Sequence, residues 1–249
     1  RLLHCRLQMK KMEALTSRID PQGMADYING APLPSLEENT NEVSVLEPEG
    51  LQILDELIFC EDPYSEKAAI IQKAENLKNS FEELKGFWLN ANVTDRLVLE
   101  SIRQDLIRVF TLGLTGFDTP GSGNAIPEAR NSLEAQLELL TYYKSSISPR
   151  LYEETQALYQ QAILLLRKSP NFDHFDRLGF LTQFINPLYA KIYEIHRHLH
   201  IETEEEVVDW VLPLNYHATN IFSEDLFNPG FYSNLYRTAT HDQKIELGR

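Results

Sequence analysis

The sequence predicts an all-α fold, an up-and-down antiparallel bundle of helices with an irregular, aromatic C-terminal tail. Apolar residues recur at spacings of three and four in several segments, as on one face of a helix. Prolines and helix-capping residues lie where these segments start, and no five residues show the alternation that is typical of strands. The 249 residues, 43% of them hydrophobic, are enough for one large helical domain.

The first predicted helix begins at the start of the chain. Its apolar face carries Leu2, Cys5, Met9, Met12 and Ile19, and Thr16 interrupts it. Because the chain starts at Arg1 and is already in helical register there, we expect further residues upstream, among them an export signal. The segment 21–48 is rich in proline, glycine and acidic residues and is not predicted as a simple helix.

Five further segments each show one apolar stripe along a helix, and Pro127, Pro149 and Pro187 fall in first turns, where a missing N–H is tolerated. The stripes are Ile70, Ala74, Leu77, Phe81, Leu84 and Trp88; Leu99, Ile102, Leu106, Val109 and Gly113; Ile126, Ala129, Leu133, Leu137 and Leu140; Leu151, Thr155, Leu158, Ala162 and Leu165; and Leu188, Ile192, Ile195 and Leu199.

The glycine-rich stretch 116–124 is predicted as a loop rather than a phosphate-binding site, because it follows a helix and not a strand. We expect a single domain over residues 1–249, with two four-helix halves, 1–115 and 125–212, meeting near this loop.

The tail, 213–249, contains six aromatic residues that we expect to be covered, with order up to about Tyr236. They are Tyr216, Phe222, Phe227, Phe231, Tyr232 and Tyr236. Capping boxes at Thr203 and Thr240 each predict the start of a short helix.

Charge and composition exclude several kinds of partner. With 23 Lys and Arg against 37 Asp and Glu, the net charge of −14 would repel nucleic acid and anionic lipid. No apolar run approaches the roughly 20 residues of a membrane-spanning helix. The two cysteines, Cys5 and Cys60, form no C-x-x-C-H motif, so no c-type haem is expected in this chain, and the sequence leaves open whether they pair.

Histidine is densest at His196, His198 and His200. On a helix His196 and His200 would lie one turn apart on the same face, as two metal ligands do. A third ligand is missing, however, and the imidazoles lie at a helix C-terminus, where positive charge is stabilised. We therefore expect no metal site here.

The segment from Glu47 to Phe59 resembles the second-helix motif of the imelysin family, G-x-H-x-x-E followed by an apolar pair. Gly50 matches, Gln52 replaces the histidine and Asp55 replaces the glutamate, while Glu13 matches the acidic position of the family's first helix. The segment 29–34 also fits this resemblance. The resemblance implies a metal site, but an amide is a poor ligand for a transition metal, so we expect Gln52 and Asp55 to form hydrogen bonds between helices instead.

Four other segments, 112–120, 125–129, 213–225 and 245–249, resemble the N-terminal helical extension of di-haem cytochrome c peroxidase-like proteins from Bacteroidetes. The last of them is similar to the first residues of the peroxidase domain. The resemblance covers essentially the whole chain, and it implies a parent protein of the periplasm or cell envelope that reduces peroxide with two c-type haems outside this chain.

Three functions follow as expectations. The first is a haem-free, non-catalytic accessory domain that positions the peroxidase domain or recruits an electron donor or a cell-envelope protein. The second is an imelysin-type metal-dependent protein, iron-handling or peptidase-like, with a degenerate site at Glu13, Gly50, Gln52 and Asp55. The third is a plain protein-interaction bundle. For the first we expect no catalytic residue and no bound haem or metal in this chain.

Overall fold

The computed structural model describes residues 1–30, 35–36, 45–169, 171–208 and 210–231. The predicted all-α fold is confirmed. The helices are α1 (Leu2–Ile19), α2 (Pro21–Gly23), α3 (Leu51–Phe59), α4 (Lys67–Asn90), α5 (Asp95–Arg108), α6 (Ala125–Thr141), α7 (Pro149–Lys168), α8 (Arg177–Phe180), α9 (Asn186–His198) and α10 (Glu204–Val207). Wide π-helical turns occupy Met24–Ile28, Val109–Gly113 and Leu181–Ile185. Two-residue strands, β1 (Ser35–Leu36) and β2 (Val45–Leu46), pair antiparallel with Ser35 opposite Leu46.

The main hydrophobic core lies between α5, α6, α7 and α9. Every position of the predicted α5 stripe is buried, because α5 is surrounded by α1, α6 and α9. The stripe of α9 is buried from Leu188 to Ile195 and becomes half-buried at Leu199, just past the helix.

A smaller core joins α1, the first π-turn, α3 and α4. In α4, Leu77 and Leu84 are buried, whereas Ile70, Phe81 and Trp88 are half-buried and Ala74 is exposed. The two cores therefore do not separate at the loop 116–124, as the predicted halves 1–115 and 125–212 would require. Helix α5 precedes the loop but packs in the core of the helices that follow it.

Two predicted faces differ from the observed ones. In α1, Thr16 is fully buried and Met12 is exposed, because the face towards α5 and α6 also carries Arg6, Lys10 and Glu13. In α7 the buried face is rotated towards Tyr159, which is fully buried.

Local capping explains two helix starts. The Ser148 hydroxyl accepts a hydrogen bond from the Leu151 N–H at 3.3 Å, and Pro149 follows as the first helical residue. At the start of α10, where the sequence predicts a capping box, the Glu206 carboxylate accepts from the Thr203 N–H at 2.8 Å.

The segment after α10 docks on α5 through Arg103. The Arg103 guanidinium is buried and donates to the carbonyl oxygens of Tyr216 and Ala218. Ile221 and Leu226 of this segment are buried in the main hydrophobic core, so an irregular backbone is held without a helix.

The prediction that the tail aromatics are covered holds for Tyr216 but is wrong for Phe222 and Phe227, which are exposed. The aliphatic Ile221 and Leu226 occupy the inward positions instead. Tyr232, Tyr236 and the capping box at Thr240 lie outside the described residues.

Candidate functional site

The start of α3 is fixed by Gly50. This residue adopts φ +93°, and a Cβ there would lie 2.5 Å from the carbonyl oxygen of Ile28. Only glycine combines that conformation with so close an approach of two backbones. The contact sets α3 against the first π-turn and places Gln52 and Asp55, three residues apart, on its buried face.

The partners of Gln52 and Asp55 lie in the loop before α6, not on another helix as expected. The Gln52 amide donates to Asp118 Oδ1 at 2.8 Å. Asp55 Oδ2 accepts from the backbone N–H groups of Gly121 and Ser122, both at 2.8 Å. The reason is that this loop folds back over α3, so close that a Cβ at Gly121 would meet the Asp55 carbonyl oxygen at 2.7 Å.

Glu13, on α1, is engaged by two cations. Its Oε2 accepts from Lys10 Nζ at 2.7 Å, and its Oε1 accepts from Arg108 Nε at 2.8 Å. The Asn29 amide adds a longer hydrogen bond of 3.2 Å to Oε1. Both carboxylate oxygens of Glu13 are therefore occupied.

Asp118 is the counterpart of Glu13 on the other side of the same cations. Lys10 Nζ lies 2.7 Å from its Oδ2, and Arg108 reaches both of its oxygens at 3.0 Å. Burial opposes ionisation of Asp118, but the ammonium and the guanidinium outweigh it and hold the pKa of this carboxyl well below its ordinary value. The Lys10 ammonium thus bridges two buried carboxylates, and the lysine side chain is only 6% exposed.

Arg6 and Glu128 form a further buried ion pair, which extends this network of ion pairs to α6. Arg6 binds Glu128 through two nitrogens, Nε at 2.5 Å and a terminal nitrogen at 2.9 Å. The same guanidinium donates to the carbonyl oxygens of Leu51 and Asp118. Such a fork is specific in geometry, and it ties α1, α3, α6 and the loop into one unit.

These residues do not fit the transition-metal site that the imelysin resemblance implies. Glu13 already binds two cationic side chains, and Gln52 offers an amide where an imidazole would be needed. Gln52 Oε1 and Asp55 Oδ1 accept no hydrogen bond from the described part of the chain, but two oxygens are too few ligands. Within the described ranges, no three His, Cys, Asp or Glu residues are grouped so as to hold a metal ion.

The structure does not bring the histidine pair together. His196 is fully buried in α9, and its Nδ1 lies 2.9 Å from the carbonyl oxygen of Ile201. Burial lowers the pKa of His196. His200 lies beyond the helix end with φ +55° and is exposed. Because α9 ends at His198, His200 does not lie on the helix, and the two imidazoles do not share a helical face.

The sequence did not reveal five residues of this site: Arg6, Lys10, Arg108, Asp118 and Glu128. A signal was present for two of them: Arg6 and Lys10 are spaced four apart and precede Glu13 by seven and three residues, so all three share a helical face. The other partners are distant in sequence and became visible only in the fold.

Both cysteine thiols are free: Cys5 is half-buried and Cys60 is exposed. No helix in the described ranges is both long and apolar enough to cross a membrane. Comparison of the chain with protein-family models, with curated proteins and with solved structures found no match.

Proposed function

We propose that this chain is a haem-free accessory domain, with no catalytic centre of its own, that docks a neighbouring domain through the segment 207–227. The observation that carries this proposal is the exposure of large apolar side chains in that segment. Trp210 is 63% exposed, and Val207, Val211, Phe222 and Phe227 are also exposed. Large apolar side chains left exposed along one segment are typical of an interaction surface.

The backbone from Leu212 to Asn228, which carries Phe222 and Phe227, is anchored by several hydrogen bonds. Arg103 binds the carbonyl oxygens of Tyr216 and Ala218, and the Ile221 N–H donates to Asn186 Oδ1 at 3.1 Å. The Asn228 amide donates to the carbonyl oxygens of Leu212 and Leu214, at 2.8 and 3.1 Å. A rigid platform with apolar side chains loses little entropy when a partner binds.

The partner in this proposal is the peroxidase domain of the same polypeptide. Its basis is the resemblance of segments 112–120, 125–129, 213–225 and 245–249 to the helical extension of di-haem peroxidase-like proteins. The parent would then reduce peroxide in the periplasm or cell envelope with two c-type haems outside this chain. An electron donor or a cell-envelope protein could share the same surface.

The ion network favours this function over an imelysin-type metal-dependent one. Lys10 and Arg108 already neutralise the carboxylates of Glu13 and Asp118, so a metal ion would have to displace one buried and one half-buried cation. Elemental analysis of the purified chain tests this point. About one iron or zinc per chain, lost in Glu13→Gln, would favour the metal-dependent alternative.

Tryptophan fluorescence tests the docking surface directly, because the chain has only two tryptophans, Trp88 and Trp210. In Trp88→Phe, Trp210 is the sole reporter, and its exposure predicts red-shifted emission. Adding the polypeptide encoded directly after Arg249 should shift this emission to the blue.

Two variants make the result specific. Trp210→Ala should weaken the association, whereas Leu89→Ala, which removes an even more exposed apolar group from α4, should not. No emission shift, or equal effects of the two variants, would contradict the docking proposal. Two C-x-x-C-H motifs in the downstream sequence would identify the partner as a di-haem domain.

A further inference from the structure

We propose that two copies of this chain associate through the outer face of α4, with the two helices antiparallel. This inference rests on a different surface from the segment 207–227 and does not depend on the docking proposal. Helix α4, with 24 residues, is the longest of the described helices, and it packs against α1, the first π-turn and α3. Its buried residues, Leu77 and Leu84, lie on the side that faces these elements, which leaves the other side in solvent.

The outer face of α4 carries one stripe of exposed residues whose spacing alternates between four and three, as at the a and d positions of a coiled coil. The residues are Ile71, Glu75, Lys78, Glu82, Lys85 and Leu89. The apolar side chains at its two ends, Ile71 and Leu89, are 49% and 79% exposed. At Gly86, next to Lys85, an added Cβ would meet no atom of the described residues within 4 Å. This stripe, which we call the α4 seam, is therefore open to another molecule.

The order of residue types along the α4 seam is complementary to itself when a second copy is turned end to end about Ser80. Each resulting pair joins an a position of one helix to a d position of the other, and each occurs twice by symmetry. The pairs are Ile71 with Leu89, Glu75 with Lys85, and Lys78 with Glu82. Apolar residues thus meet apolar residues, and each charge meets the opposite charge, so the contact surface is the same on both copies, as in a closed two-fold dimer.

A parallel arrangement of the same two helices would be repulsive. Each residue of the α4 seam would then face its own counterpart, so that Glu75 would lie opposite a glutamate and Lys78 opposite a lysine. Like charges placed opposite each other are a common device against unwanted pairings. The charge pattern therefore selects the antiparallel orientation and sets the register.

The charge of α4 also suits contact between two copies of an acidic protein. The chain carries a net charge of −14, whereas α4 contains four lysines and three glutamates. Within the α4 seam, Glu82 and Lys85 lie 4.0 Å apart and both are 70% exposed, so solvent screens their attraction and each can reorient towards a second copy. Association through α4 thus brings no excess of negative charge into contact.

The expected interface is small. From Ile71 to Leu89 the helix rises about 27 Å, at about 1.5 Å per residue, and the contact is only one helix wide. The apolar contacts at the two ends provide attraction, while the ion pairs between them remain hydrated and determine orientation more than strength. We therefore expect a weak dimer, with a dissociation constant of about 10–100 µM.

Sedimentation velocity of the full chain over a concentration series tests the proposal. The natural sequence should dimerise, and more weakly in about 1 M sodium chloride, where charges are screened beyond about 3 Å. Lys78→Glu and Glu82→Lys each place like charges in both central pairs, so each should weaken the dimer about tenfold or more. Lys168→Glu is the matched control, because it changes the net charge as Lys78→Glu does but lies on the exposed side of α7.

The double variant Lys78→Glu with Glu82→Lys tests the orientation. In the antiparallel dimer the two reversed charges attract each other again, so dimerisation should recover. In a parallel dimer each would still face its own counterpart, and no recovery would follow. Because both side chains are exposed, the monomer should fold normally in all these variants, which far-ultraviolet circular dichroism checks.

A last pair of variants separates this surface from the docking surface. Leu89→Ala should weaken the dimer, whereas Trp210→Ala should leave it unchanged. The proposal is overturned if the chain stays monomeric at about 1 mM, which would leave the α4 seam to some other partner. It is also overturned if the dimer survives both single charge reversals, or if the double variant does not recover.

Discussion

Replacement of Lys10 by methionine tests whether the buried network is held together by its cations. The ammonium lies 2.7 Å from a carboxylate oxygen of Glu13 and 2.7 Å from one of Asp118. Methionine keeps most of the aliphatic side chain, so the main loss is the charge. Breaking a buried ion pair by removing one partner costs about 3–5 kcal/mol, because the other charge stays buried without compensation. Arg108 remains near both carboxylates, so we expect the lower part of that range.

Lys191 provides a matched control, since it also bridges two carboxylates, Glu154 and Glu194, each at 2.8 Å. These groups are more exposed to solvent, which screens the interaction, so Lys191→Met should change the free energy of unfolding far less. Urea unfolding followed by circular dichroism gives both values. If Lys10→Met is no more destabilising than Lys191→Met, the network does not stabilise the fold in the way we describe. Partial recovery in Lys10→Met with Asp118→Asn would identify the uncompensated charge as the cause.

Three further predictions concern packing and backbone geometry. Leu77→Ala should lower the free energy of unfolding in urea by roughly 2–5 kcal/mol, as truncations of a buried leucine do. Leu89→Ala, on the exposed side of α4, should change that free energy little, and equal values for the two variants would mean that the Leu77 stripe faces solvent. Gly50→Ala should lower the free energy of unfolding by more than about 1 kcal/mol, because Gly50 has a positive φ. Gly86→Ala, inside α4 with open space at its Cβ, should raise it by about 0.5–1 kcal/mol in the same assay. The opposite order would refute the close backbone approach at Gly50. Arg103→Met should expose the segment 213–231 to limited proteolysis, and a cleavage pattern like that of the natural sequence would mean that other contacts hold this segment.

The helices of the main core were predictable because each carries a stripe of apolar residues at helical spacing, although buried polar residues flank that stripe. The stripe of α5 could be read from spacing alone, since Leu99, Ile102 and Leu106 are all completely buried. In α7 the spacing located the helix but not its rotation, because Tyr159 lies next to Leu158 and either could have faced the core.

The buried ions could not be predicted in the same way. The spacing of apolar residues in α1 predicts that its charged residues face solvent, but Arg6, Lys10 and Glu13 are all buried. Their burial depends on Arg108, Asp118 and Glu128, and no local rule relates such distant positions. The motif residues Glu13, Gly50, Gln52 and Asp55 were located correctly in the chain, but their hydrogen-bond partners required the fold.

The span of the ion network along the chain affects the order in which the protein can fold. Arg6 and Glu128 are 122 residues apart, and Lys10 and Asp118 are 108 residues apart. During synthesis α1 emerges first, yet the residues that neutralise its charges are added only after about half of the chain has been made. Until then a helix carrying charges on its inner face has little to pack against, and closing loops of this length slows folding. We therefore expect α5, α6, α7 and α9 to form their core before α1 docks, and the N-terminal helix to be the last large element to join the fold.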